Sequence, residues 1–133
     1  MSDRMPQLFS FCARVIRGAQ RGRDLGSPTL NLEISAVPRT LSHGIYACTV
    51  TWNRRTFPAA MHFGPRPVFH AGTACEIHVI GHAVLRPPRT VAVTVLQRLR
   101  SIRNFPTPEA LQQQIRRDLK RANTFLKRQR DKK

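Results

Sequence analysis

The chain has 133 residues and a mass of 15.2 kDa, which predicts a single domain able to bury its own core. Its 23 Lys and Arg residues stand against 7 Asp and Glu, giving a formal net charge of +16. This excess excludes an acidic solvating protein and favours a polyanionic partner, whereas the 41% hydrophobic content excludes a wholly disordered chain.

The cysteines and the apolar pattern indicate the cellular compartment of the protein. Cys12, Cys48 and Cys75 form no CxxC pair, and an odd number at wide spacing predicts a reducing compartment. No apolar stretch approaches the length of a membrane span, and residues 1–11 do not resemble a signal peptide. We therefore expect a soluble, cytoplasmic monomer that does not enter a membrane.

Most of the chain has the period-two alternation of β-strands. After an N-terminal tail (residues 1–7), the pattern predicts strands at 8–16, 29–34, 44–52, 56–63, 74–82 and 90–99. A hairpin turn is expected at 53–55, and Pro58 predicts an edge position or a bulge in the strand that follows.

The C-terminal part has helical periodicity instead. Thr107 is a good N-cap, and Pro108 suits the first helical position. An amphipathic helix is expected over 108–127, followed by a frayed basic tail (128–133), because the apolar residues recur at helical spacing: Leu111, Ile115, Leu119, Ala122 and Leu126. Short strands followed by one helix predict a mainly β domain over 8–127, a small antiparallel barrel capped by the helix.

One acidic residue stands alone in the middle of the chain. Glu76 is the only carboxylate between Glu33 and Glu109, and alternation places it on the strand face opposite Cys75 and Ile77. It could act as a general base or pair with an arginine, and its position alone favours the ion pair. No second carboxylate lies nearby, so paired-carboxylate chemistry is disfavoured.

Residues 18–28 have the composition of a loop that meets phosphate. Glycines let backbone N–H groups approach an anion, and the arginines add positive charge. The pattern matches neither GxxxxGK[ST] nor GxGxxG, and a flexible turn explains the glycines equally well. Directly after the loop, Thr29 and Asn31 share one strand face, where their oxygens suit Mg²⁺ but could equally face solvent.

Two further features carry alternative interpretations. Cys75, His78 and His82 approach a zinc-like spacing, but Cys75 and His78 should face opposite sides of a strand, which disfavours a shared ion. The basic side of the predicted helix is either a solvated polar face or an electrostatic footprint for RNA, DNA or a ribosome-like surface: Arg116, Arg117, Lys120 and Arg121.

Several segments, in order, resemble the riboflavin kinase (flavokinase) family. Residues 18–32 are similar to its glycine loop and Pro-Thr-Ala-Asn motif, and Gly44-Ile45-Tyr46-Ala47 to its Gly-Val-Tyr strand. Gly64-Pro65-Arg66-Pro67 with Phe69 resembles its Gly-x-x-Pro-Thr-Phe loop, and Glu76-Ile77-His78 its Glu-x-His strand. The family ending is matched by Arg100, Phe105, Leu111, Ile115 and Asp118.

The resemblance implies a six-stranded antiparallel Greek-key barrel with a C-terminal helix. It also implies a kinase that makes FMN from riboflavin and ATP, with Thr29 and Asn31 holding Mg²⁺ and Glu76 accepting the proton of the ribityl 5′-hydroxyl. Arg100, Arg103 and Phe105 would bind the flavin. Thr29, Asn31 and the preceding loop would bind the ATP phosphates, the loop through Gly18, Arg21, Gly22, Arg23, Gly26, Ser27 and Pro28.

The chain also departs from the family pattern. Leu30 stands where the family has Ala, His62 where it prefers Asn, and Ile102 where it usually has Glu. The alternatives are therefore a catalytically altered barrel that binds RNA or the ribosome through its basic helix and tail, or one that binds flavin without turnover.

Overall fold

The computed structural model describes residues 9–16, 29–65 and 72–131. The predicted N-terminal tail, the glycine loop at 18–28 and the segment 66–71 lie outside these ranges. Within them the elements are β1 (Phe9–Ile16), β2 (Thr29–Leu32), a 3₁₀ turn (Ile34–Ala36), β3 (Gly44–Trp52), β4 (Arg55–Pro65), β5 (Thr73–Val79), β6 (Thr90–Arg100) and α1 (Pro108–Asp131).

The six strands close into an antiparallel barrel in the order β1-β2-β5-β4-β3-β6. This confirms the predicted fold class. Alternate residues of every strand point inward, and their side chains form one apolar core that includes Leu30, Tyr46, Met61, Ile77 and Val93. The residues between them form the outer surface of the barrel wall.

Helix α1 packs against the outside of the wall over β3 and β4. Ala47 and Ala60 of the wall meet Ala122 of the helix, and all three are buried. Small side chains at this contact allow a close approach, while Leu119 and Phe125 pack around it. The helix begins as predicted, because the Thr107 hydroxyl accepts a hydrogen bond from the Ala110 N–H at 3.1 Å.

Some local predictions were wrong in their bounds. Strand β5 ends at Val79 rather than at residue 82, and α1 continues past residue 127 to Asp131. No described helix is long and apolar enough to cross a membrane.

Pro58 forms no bulge, and on the side of β5 it lies just beyond the paired stretch, which begins at Ala59. It pairs with Thr49 inside the closed barrel, and its carbonyl accepts a hydrogen bond from the Ile80 N–H at 2.9 Å. In an antiparallel pair the N–H and C=O of one residue point the same way, so the missing N–H of Pro58 faces the side of β5. Because β5 ends at Val79, no strand residue there needs that donor.

Candidate functional site

A row of polar side chains crosses the outer wall of the barrel on three neighbouring strands. Asn31 of β2 lies directly opposite Glu76 of β5, and Glu76 lies directly opposite His62 of β4. Their sequence neighbours Leu30 and Cys75 point into the core. The sheet register therefore brings these three residues to one side of the wall.

A second row lies beside the first. Thr29 is opposite His78, two residues along from the Asn31–Glu76 pair and on the same face. The His78 Nε2 atom is 4.0 Å from the Glu76 carboxylate. The two residues predicted to hold a metal and the predicted base thus share one patch of the outer wall, formed by Thr29, Asn31, His62, Glu76 and His78, which we call the wall site.

The wall site holds polar atoms that lack partners. Asn31 Oδ1, His62 Nδ1 and His78 Nδ1 are buried, and none has a hydrogen-bond partner in the described part of the chain. A buried polar atom without a partner destabilises a fold by roughly 1–3 kcal/mol. Three such atoms around Glu76 indicate a place where polar groups of a ligand or ordered waters complete the hydrogen bonding.

Burial keeps the two histidines of the site neutral near pH 7. It lowers the pKa of His62 to about 4, against an opposing effect of the Glu76 carboxylate, while His78 and Arg100 lower it further. Burial also lowers the pKa of His78, although Glu76 and Asp118 act in the other direction. Each neutral ring offers one N–H donor and one acceptor nitrogen.

An ion pair fastens the helix beside the wall site. Arg100, the last residue of β6, donates from Nε to Asp118 Oδ1 at 2.9 Å and from Nη2 to Oδ2 at 2.7 Å. Gln114 donates to Asp118 Oδ1 at 3.0 Å from within the helix, and Arg100 Nη1 donates to the Ser101 carbonyl at 2.9 Å. Arg100 lies across Ile45 from His62 in the sheet register, so the pair borders the site.

The residues predicted to bind flavin lie where β6 leads into α1. The guanidinium carbon atoms of Arg103 and Arg100 are 5.4 Å and 5.8 Å from the centre of the Phe105 ring. Because the Arg100 guanidinium is already hydrogen-bonded to Asp118, Arg100 anchors the helix to the barrel. Phe105 and Arg103 leave a partly exposed ring and an exposed charge beside that anchor.

The other predicted phosphate-binding residues belong to the glycine loop at 18–28. Gly18, Arg21, Gly22, Arg23, Gly26, Ser27 and Pro28 all lie outside the described residues, as do Arg66, Pro67 and Phe69 of the second loop. Gly64, at the edge of that loop, has φ +149°, and a Cβ there would lie 2.9 Å from Ile102 Cγ1.

The cysteines take no part in the site. Cys48 and Cys75 are in the barrel core, where burial raises the pKa of each thiol, that of Cys75 to about 12. Over the described ranges no three His, Cys, Asp or Glu side chains are grouped to hold a metal ion. Cys75 points inward and His78 outward, as strand alternation predicts.

Sequence reasoning missed part of this arrangement. It did not place His78 in the site, and it gave no reason for the burial of Gln114 on the helix. The Glu-x-His spacing was a usable signal, since residues two apart on a strand share a face. The spacing of Gln114 and Asp118, four residues apart on a helix, was another.

Comparison with known proteins agrees with this fold. The sequence model described as riboflavin kinase (Flavokinase) matches residues 5–126. The bifunctional riboflavin kinase/FMN adenylyltransferase of Mycoplasma pneumoniae is 32% identical over 112 residues, which cover 84% of this chain and 40% of that protein. The RNA-binding riboflavin kinase RibR of Bacillus subtilis is 27% identical over 107 residues, 79% of this chain and 46% of that one.

A solved structure shares the architecture. The riboflavin kinase of Trypanosoma brucei superposes with a TM-score of 0.59 at 21% identity, over 92% of this chain and 82% of that one. The described chain is thus a flavokinase-type barrel with its C-terminal helix. By the family match over residues 5–126, the protein belongs to the riboflavin kinase family, and it spans about 40% of the length of the bifunctional relative from Mycoplasma pneumoniae.

Proposed function

We propose that the protein is a riboflavin kinase, which transfers the γ-phosphate of ATP to the ribityl 5′-hydroxyl of riboflavin and yields FMN. The observation that carries the proposal is the position of Glu76 between Asn31 and His62 in one row of the outer wall. Buried polar atoms without partners lie on both of its neighbours. A carboxylate in that setting can accept a proton from a hydroxyl group held by the same patch.

The donor set suits the metal that the family implies. Asn31 Oδ1 is a buried oxygen without a hydrogen-bond partner, and Thr29 lies on the same face. Neutral oxygens of this kind suit Mg²⁺, which takes few ligands from the protein and keeps waters and substrate phosphates. Bound there, Mg²⁺ would neutralise charge on the ATP phosphates.

The wall site supplies positioning and a proton acceptor for the transfer. Glu76 takes the proton as the riboflavin hydroxyl oxygen bonds to the γ-phosphorus, and the bond to the departing ADP breaks. The neutral rings of His62 and His78 flank the carboxylate and can orient it or the hydroxyl by hydrogen bonds. Phe105 and Arg103 offer an aromatic face and a charge for the flavin side of the site.

A turnover assay tests the proposal. Riboflavin, ATP and Mg²⁺ are mixed with the protein, and FMN is separated and quantified. Glu76→Gln should lower kcat by about 10²–10⁴-fold, because the amide cannot accept the proton. Glu109→Gln, the same change at an exposed helix position, is the control and should leave kcat unchanged. Absence of FMN with the unmodified protein would overturn the kinase assignment, and normal turnover in Glu76→Gln would overturn the role of Glu76.

A second candidate function is RNA binding through the helix. Exposed basic residues on α1 recur at spacings of three and four, which places them on the side of the helix away from the barrel. We call this set the basic face of α1: Arg116, Arg117, Lys120, Arg121, Lys127 and Arg128. From Arg116 to Arg128 it is about 18 Å long, enough to contact several successive phosphates. The similarity to an RNA-binding riboflavin kinase supports this candidate.

Salt dependence tests the second candidate. Binding of a fluorescent RNA should weaken steeply between about 50 and 200 mM salt, because each phosphate that is neutralised releases counterions. Replacing Arg117 and Arg121 with Gln should reduce the slope of log affinity against log salt by about one to two. Affinity that does not respond to salt would overturn RNA binding by this face.

A further inference from the structure

The end of the barrel at the turn between β3 and β4 has an aromatic cluster on its surface. Trp52 ends β3, and its ring stacks on Phe57 with ring centres 4.3 Å apart and an angle of 27° between the planes. His82, in the loop after β5, meets the same Phe57 ring edge-on at 4.7 Å. Phe57 is buried, whereas Trp52 is partly exposed and His82 is exposed. Phe57 thus supports two rings that solvent can reach.

Positive charge surrounds this cluster. The Arg55 guanidinium carbon lies 5.1 Å from the centre of the Phe57 ring, and Arg54 is exposed in the hairpin turn beside it. Arg86 and Arg89 are exposed in the loop that joins β5 to β6 at the same end. Between Trp52 and Arg100 the only acidic residue of the chain is Glu76, which is on the barrel wall. The surface is therefore suited to an anion that also carries aromatic groups.

Helix α1 extends toward this cluster, because Asp118 bonds to Arg100 at the opposite end of the wall and Ala122, one turn later, packs on Ala47 and Ala60. Ile80, two residues before His82, packs in the same apolar group as Phe125 and Leu126 of the helix. The C-terminal half of α1 therefore runs toward the end of the barrel that carries Trp52. A chain of phosphates lying along the helix would lead toward the aromatic cluster at that end.

We propose that Trp52 and its neighbours form a base-stacking site for an unpaired RNA strand whose phosphates lie along the basic face of α1. This inference rests on the proposed RNA binding and adds the class of RNA. Every base has a flat face that stacks on an aromatic ring, but in a duplex those faces are occupied by neighbouring base pairs. Arg55 and Arg54 hold the adjacent phosphates.

Fluorescence of Trp52 tests the stacking directly, because Trp52 is the only tryptophan in the chain. The intact protein is titrated at low salt with a single-stranded RNA of about 12 nucleotides, with the corresponding duplex, and with inorganic polyphosphate of similar charge. A stacked base should quench the emission, so the single strand should quench Trp52 strongly. Polyphosphate should bind without quenching, and the duplex should quench weakly.

Two pairs of variants separate the stack from the charge. Trp52→Leu should weaken single-strand binding by roughly 5- to 100-fold, as expected for the loss of one stacked base, while Trp52→Phe should retain most of it. Arg55→Gln should weaken binding more than Arg39→Gln, which removes the same charge from an exposed position before β3, at the other end of the barrel. Thermal melting of each variant checks that it folds.

The possible failures are distinguishable. RNA that binds with salt dependence but does not quench Trp52 would overturn the stacking site and leave RNA binding by the helix intact. Failure of every polyanion to bind would overturn RNA binding as well. Quenching by phosphatidylserine vesicles but not by RNA would overturn the proposal in favour of a membrane surface.

Discussion

Arg100 and Asp118 join the last strand of the barrel to the C-terminal helix through two parallel hydrogen bonds of 2.9 and 2.7 Å. Both side chains are largely buried, with 14% and 5% of their surfaces exposed. The apolar contact between helix and wall is non-directional and centres on Ala47, Ala60 and Ala122, with larger side chains such as Leu119 and Phe125 around them. The ion pair therefore sets where along the wall the helix sits, and it does so next to His62 and His78.

Removing the carboxylate charge of Asp118 should destabilise the fold. Asp118→Asn leaves the Arg100 guanidinium buried without its counterion, a change that typically lowers the free energy of unfolding by about 3–5 kcal/mol. Asp131→Asn, the same substitution at an exposed position in the last turn of the helix, is the matched control and should have almost no effect. Urea unfolding followed by circular dichroism measures both. Equal stability of the two variants would show that the pair does not hold the helix.

The stability of the protein should fall in mild acid because of the wall-site histidines. The pKa of His62 is about 4 in the folded chain against an ordinary value of 6.5, so between these pH values only the unfolded state binds the proton. The contribution of the neutral histidine to the free energy of unfolding is therefore fully present above about pH 6.5 and is lost as the pH falls toward 4. The slope is at most about 1.4 kcal/mol per pH unit for each such histidine. The charged groups that act on His62 are Glu76, His78 and Arg100.

Unfolding at about pH 7.5 and about pH 5 measures this loss. His62→Asn keeps a polar side chain but removes the titration, so its stability should change less between the two pH values than that of the unmodified protein. An equal change in both would show that protonation of His62 does not contribute.

Strand alternation was enough to predict the barrel and the side of the wall on which Glu76 lies. The period-two pattern assigns Leu30 and Ile77 to the core and Asn31 and Glu76 to the outside, and the structure does the same. The hairpin turn after Trp52 was also predicted from the sequence. In the structure Asn53 and Arg54 of that turn both adopt positive φ, at 50° and 63°. Local signals of this kind depend on residues close in sequence.

The pairing across strands could not be predicted in the same way. That His62 stands opposite Glu76 depends on the register of β4 against β5, which a one-residue slip would change completely. The burial of Gln114 and Asp118 on the helix depends on Arg100, which lies 18 residues from Asp118 in the chain. The apolar stripe places Asp118 on the buried face, three residues after Ile115 and four before Ala122, but it does not identify the distant residue that neutralises a carboxylate there.

The proposed metal-binding role of Asn31 predicts a change in magnesium dependence. If Asn31 Oδ1 contributes a ligand, Asn31→Ala should raise the Mg²⁺ concentration needed for half-maximal FMN formation by about 10-fold or more, as expected for the loss of about 1.4 kcal/mol of binding free energy. Asn123→Ala, on the helix, should leave that concentration unchanged. A lower kcat with unaltered Mg²⁺ dependence would assign Asn31 to the substrate instead of the metal.

Gly64 should tolerate a side chain less well than Gly72, although both have positive φ, at +149° and +79°. An alanine Cβ at position 64 would lie 2.9 Å from Ile102 Cγ1 and 3.2 Å from His43 Cβ, whereas one at position 72 would meet no atom within 4 Å. Alanine adopts the φ of Gly72 at lower cost than that of Gly64, so the backbone strain and the steric clash both act against Gly64→Ala. Gly64→Ala should lower the free energy of unfolding by about 1–3 kcal/mol more than Gly72→Ala, measured by urea unfolding with equal m-values. If the two variants are equally stable, Ile102 can move away freely and the segment after β6 is not packed against Gly64.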